Sequence, residues 1–84
     1  MSKKSKLLDR LLSQPKDFTF DELTTLLNQL GYFIITTGKT SGSRVTFANT
    51  EKDYIRLHKP HPRNILKPYQ INDIITALSE RGLL

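Results

Sequence analysis

The segment Thr19-Phe20-Asp21-Glu22 constrains this chain most strongly, because it fixes where a helix begins and in which register. It reads as a capping box: the Thr19 hydroxyl accepts from the Glu22 backbone N–H while the Glu22 carboxylate reaches back to the Thr19 N–H. Phe18 and Leu23 occupy the two positions of a hydrophobic staple. Leu23, Leu26, Leu27 and Leu30 follow at i, i+3, i+4 and i+7, and Gly31 stands where a C-terminal cap belongs. After Gly31 the apolar period changes from helical to two, so this helix leads directly into a sheet.

The rest of the chain is organised around that helix. Ser5 to Leu12 predicts a short preceding helix with Leu7, Leu8, Leu11 and Leu12 on one face, and Pro15 bars its continuation. Tyr32 to Thr37 is rich in β-branched and aromatic residues and predicts a first strand. Lys39 to Gly42 is a polar loop. Val45 and Phe47 alternate with Arg44, Thr46 and Ala48 in a second strand, Asn49 to Asp53 is a turn, and Tyr54 to His58 is a third strand with Ile55 and Leu57 inward. A proline-bearing loop from Lys59 to Lys67 leads to a last helix opening at Pro68, with Ile71, Ile74, Ile75 and Leu78 as its buried stripe and Gly82 as its stop. The predicted fold class is a two-layer α+β sandwich in the order α-α-β-β-β-α. Its antiparallel sheet keeps one face wet.

The 84 residues allow one domain, and no internal repeat or linker divides them. The absence of cysteine excludes a disulfide scaffold, a thiol nucleophile and thiolate metal sites. No apolar run is long enough for a membrane helix or the core of a signal peptide, so the expectation is a soluble, cytoplasmic protein with no membrane contact.

Thirteen Lys and Arg against eight Asp and Glu give a net charge of +5. Their distribution says more than their number. Residues 1–16 carry Lys3, Lys4, Lys6, Arg10 and Lys16 against Asp9. Residues 38–68 carry Lys39, Arg44, Lys52, Arg56, Lys59, Arg63 and Lys67 against Glu51 and Asp53. A polyanion would meet this central segment, and nucleic acid is favoured over an ordinary solvated basic surface.

Gly38-Lys39-Thr40 resembles the end of a phosphate-binding P-loop, but the required glycine five residues earlier is Phe33 and the segment leads into a strand. A nucleotide-triphosphate site is therefore rejected. Either a mild phosphate contact, with Gly38, Gly42 and the hydroxyls of Thr40, Ser41 and Ser43 letting backbone N–H groups approach, or a plain hairpin loop remains open. His58 and His61 are too few for a metal site. As an acid–base pair they suit RNA cleavage, in which the 2′-OH is the nucleophile and cations hold the phosphorane charge. A hairpin centred on Glu51 would pair Phe47 with Ile55 and Val45 with Leu57 on the core side. The same register sets Arg44 opposite His58 and Thr46 opposite Arg56 on the open side. Aromatics are expected to be scarce there, which argues against a single-strand stacking platform.

These residues resemble a known family. The helix ending in Leu30-Gly31-Tyr32, the following strand, Thr40-Ser41-Gly42-Ser43 opening the second strand, His61, Leu66-Lys67-Pro68 and the closing Gly82-Leu83 are similar in order and spacing to HicA (YcfA-like) mRNA interferase toxins. The likeness runs from about Asp17 to the C-terminus. It implies a single HicA-like domain over residues 1–84, with residues 1–16 as a basic N-terminal helical extension. It also implies a double-stranded-RNA-binding-domain-like α-β-β-β-α fold, cofactor-free and metal-free endoribonuclease action on mRNA, and a HicB-like antitoxin covering the active site. One position departs: where most HicA-like sequences carry a histidine after the Gly-Ser pair, this chain has Arg44. Three expectations follow, in descending order: His58 has taken the catalytic role, His61 has it, or the domain binds RNA without cutting.

The expected RNA contacts are Lys39, Ser43, Arg44, Arg56, Lys59, Arg63 and Lys67, with His58 and His61 as catalytic candidates. The competing expectations are a non-catalytic RNA-binding module of the same fold and a purely protein-binding subunit.

Overall fold

The computed structural model describes residues 3–35, 44–60 and 63–84. The expected strand residues beyond Ile35, the Gly-Ser loop with Lys39 and Ser43, and His61 lie outside them. The elements are α1 (Lys3–Leu12), α2 (Phe20–Gln29), β1 (Phe33–Ile35), β2 (Arg44–Ala48), β3 (Tyr54–His58) and α3 (Pro68–Glu80). The strands form one antiparallel sheet in the order β1-β2-β3.

Helix α2 begins as its sequence dictates. Glu22 N–H donates to the Thr19 hydroxyl at 3.1 Å and Thr19 N–H to Glu22 Oε1 at 3.0 Å. The staple residues Phe18 and Leu23 are fully buried. At the other end Gly31, with φ +95°, adopts the left-handed conformation that a side chain disfavours. Its N–H donates to Asn28 O and the Tyr32 N–H to Leu27 O, the Schellman arrangement that satisfies the last carbonyls. The cap folds Tyr32 inward, leaving it 3% exposed. Helix α3 closes in the same way at Gly82 (φ +70°), with bonds from Gly82 N–H to Ser79 O and Leu83 N–H to Leu78 O.

The core joins Leu11 of α1, Leu23, Leu26 and Leu27 of α2, Phe47 and Ile55 of the sheet, and Ile71, Ile74 and Leu78 of α3. Two sequence expectations need correction. Helix α1 starts at Lys3 rather than Ser5. Leu12 is 44% exposed because it sits at the outer edge of the apolar arc, in the last residue of the helix, while Leu11 near the middle of that arc is buried. Ile75 is half-buried rather than part of the innermost stripe.

Three polar links tie the layers. Arg10 Nε donates to Glu22 Oε2 at 2.8 Å and Arg10 Nη2 to Asp17 Oδ1 at 3.0 Å, fastening α1 to α2. Phe20 N–H donates to Asn64 O and Leu66 N–H to Phe18 O, so the loop before α3 is held against the entry of α2. Arg81 donates to both Asp53 oxygens, and the Tyr32 hydroxyl donates to the same carboxylate. The Arg81 guanidinium, then the Tyr32 hydroxyl, hold the Asp53 carboxyl below the usual carboxylate range. The Arg10 guanidinium does the same for Glu22.

Leu27→Ala should cost roughly 2–5 kcal/mol as a core deletion, and Thr19→Ala about 1 kcal/mol as a lost cap. Denaturant unfolding checks both, and an unchanged midpoint for Leu27→Ala would contradict the assigned helix face. Asp53 and Glu22 also predict the acid limb. Both are ionised in either state above the unfolded carboxylate range, so their stabilisation is complete there. As pH falls below about 4 the unfolded chain takes up protons first and that stabilisation is lost. Melting temperatures against pH should show this decline, with a shallower slope in Asp53→Asn.

Candidate nucleic-acid interface

The β2–β3 register brings the candidate residues together. Arg44 pairs with His58, Val45 with Leu57, Thr46 with Arg56, Phe47 with Ile55 and Ala48 with Tyr54. This is the register expected from a turn centred on Glu51. The turn is closed by the Asn49 side chain, whose Oδ1 accepts from the N–H groups of Glu51 and Asp53, and Lys52 takes a left-handed φ of 61°. Phe47 and Ile55 are buried on the helix side. Residues two apart share a face, so Arg44, Arg56 and His58 all stand on the open side, and all are exposed.

Arg44, Arg56 and His58, with Leu57, line a hollow of about 310 Å³. His58 also borders a groove of about 400 Å³ between β3 and α3, which Tyr54, Tyr69, Gln70, Asp73 and Arg81 help to line. His58, like Arg56 and Leu57, therefore borders both depressions. Its backbone is anchored: Gln70 Nε2 donates to His58 O at 2.8 Å, while Gln70 Oε1 accepts from Lys67 N–H at 3.0 Å. Gln70 is a buried polar side chain, 5% exposed, with both ends of its amide bonded. At the opposite end of β3, Arg81 Nη2 donates to Tyr54 O at 3.2 Å.

The other expected contacts are less concentrated. Lys59 Nζ lies 5.6 Å from the centroid of the Phe20 ring, against the helix layer. Arg63 and Lys67 are exposed on the loop leading to α3. Among the described residues no three His, Cys, Asp or Glu side chains gather as a metal site requires. No helix among them is long and apolar enough to cross a membrane.

The open face also corrects one expectation: it carries exposed aromatics. Phe33 pairs with Ala48, and Ala48 with Tyr54, so both rings stand on the Arg56 side of the sheet. They are 54% and 40% exposed. Period-two alternation outward from a buried Tyr32 was the signal for Phe33, and the two-residue step from Arg56 was the signal for Tyr54.

The fold and this face define a small α+β protein with a cationic, histidine-bearing sheet surface. A family model described as the HicA toxin of bacterial toxin–antitoxin systems matches residues 20–79. The chain belongs to the HicA toxin family, and that membership implies an antitoxin partner. No curated protein and no solved structure is significantly similar to it.

Gln70→Leu should cost about 1–3 kcal/mol, because it leaves the Lys67 N–H and the His58 carbonyl without their partner. Thermal unfolding measures the loss. The largest amide chemical-shift changes outside α3 should fall around His58.

Proposed function

We propose that this chain is the toxin of a type II toxin–antitoxin system, a metal-independent endoribonuclease that cleaves mRNA in the cytoplasm and is neutralised by a HicB-type antitoxin. The pairing of Arg44 with His58 beside Arg56, around one hollow on an exposed face, carries this reading. His58 takes the proton from the 2′-OH, whose oxygen attacks the adjacent phosphorus. Arg44 and Arg56 stabilise the added negative charge of the phosphorane. The bond to the 5′-oxygen then breaks, and His61 is the candidate acid that protonates it. Lys39, Ser43, Lys59, Arg63 and Lys67 are proposed as further RNA contacts. We read the order from α2 to α3 as double-stranded-RNA-binding-domain-like, and residues 1–84 as one HicA-like domain with residues 1–16 as its N-terminal extension.

A second reading, a non-catalytic RNA-binding module, is favoured by one observation: Arg44 stands where HicA-like sequences usually carry a histidine.

Incubation of the purified protein with RNA in EDTA tests the proposal. Cleavage should proceed and leave 2′,3′-cyclic phosphate ends. His58→Ala should slow it by about 10²–10⁴-fold, the usual worth of one acid–base group, with RNA binding hardly changed. His61→Ala should be milder. Fully active His58→Ala protein moves the role to His61, and normal cutting by both variants places the site elsewhere.

A further inference from the structure

The exposed rings on the open face have no role in that chemistry. Phe33, Ala48 and Tyr54 form one row across the three strands. Strands lie about 4.8 Å apart, so the outer positions are about 10 Å from each other, too far for the rings to cover one another. Ala48 between them is too small to shield either. Arg56 lies two residues from Tyr54 on the same face, and its guanidinium carbon sits 5.0 Å from the Tyr54 ring centroid. The face thus runs from flat apolar surfaces at Phe33 and Tyr54, through a stacked guanidinium, to the cationic hollow at Arg44 and His58.

We infer that this row is a binding site for unpaired RNA bases, which stack on Phe33 and on the Tyr54–Arg56 pair while the phosphates run toward Arg44. The inference rests on the RNA reading above and adds the form of RNA recognised. Aromatic rings and guanidinium planes on a sheet bind splayed-out bases, because every base offers a π-face. Inside a duplex those faces are already stacked, and proteins read duplex RNA through its phosphates and 2′-OH groups. Two half-exposed rings on a cationic face therefore match a single strand and are unused by a double one. The charge of the face favours this polyanion over an apolar protein segment.

The test is binding in EDTA by full-length His58→Ala protein, which holds cleavage down. The probe is fluorescently labelled oligoadenosine, either alone or annealed to oligouridine. The single strand should bind more tightly than the duplex. Tyr54→Ala should weaken single-strand binding about 5- to 150-fold, the worth of one stacked base, with little effect on the duplex. Phe33→Ala should act in the same direction. Tyr54→Phe should retain affinity, whereas Tyr54→Leu, which keeps apolar area without a ring, should not. Circular dichroism confirms that each variant is folded.

A duplex preference, or single-strand affinity unchanged in both alanine variants, overturns the stacking site while leaving the RNA reading intact. That result would assign the aromatic row to a protein partner. Failure to bind either RNA overturns both.

Discussion

Phe47 is fully buried at the centre of β2, and its pairing with Ile55 sets the orientation of everything on the far side of the sheet. Side chains alternate strictly along a strand, so a one-residue slip between β2 and β3 would turn one strand's apolar set to water and its polar set to the core. Burying Arg44, Arg56 or His58 under the helices would leave each without the solvation it has on the open face. The cationic surface is thus a consequence of core packing, and the register is set by apolar pairs such as Phe47 with Ile55 on the helix side.

Helix α3 holds the same hairpin from its edge. Arg81 bonds the Asp53 carboxylate and the Tyr54 carbonyl near one end of β3, and Gln70 bonds the His58 carbonyl at the other. Edge strands offer unpaired backbone groups to any passing strand, and these two bonds blunt that edge. They also leave a groove between β3 and α3 and anchor the backbone of His58 against it. Stability and site geometry here share the same contacts, because the candidate residues lie on an edge strand whose backbone would otherwise be free on one side.

The site combines two kinds of surface that are chemically complementary. Guanidinium groups and an imidazole suit phosphate and proton transfer, while exposed rings suit bases. Their adjacency follows from geometry. Residues 54, 56 and 58 share one face of β3 by their period of two, and the antiparallel register adds Arg44 and Ala48 from β2 and Phe33 from β1. No long loop is needed to assemble them.

Much of this was legible in the chain itself, because its signals are local. The capping box at Thr19, the Schellman glycines at Gly31 and Gly82, Pro68 opening α3, and the alternation of Val45, Phe47, Ile55 and Leu57 each depend on residues a few positions apart. Together they determined the element order and the pairing of Arg44 with His58. Tertiary structure alone decided the rest, which depends on residues distant in sequence. The bond from Gln70 to His58 spans 12 residues and that from Arg81 to Asp53 spans 28, and no short-range pattern announces either. Lys59 was drawn to the Phe20 ring. Local conformational preferences act over one or two turns of chain, whereas burial is settled only when all layers meet.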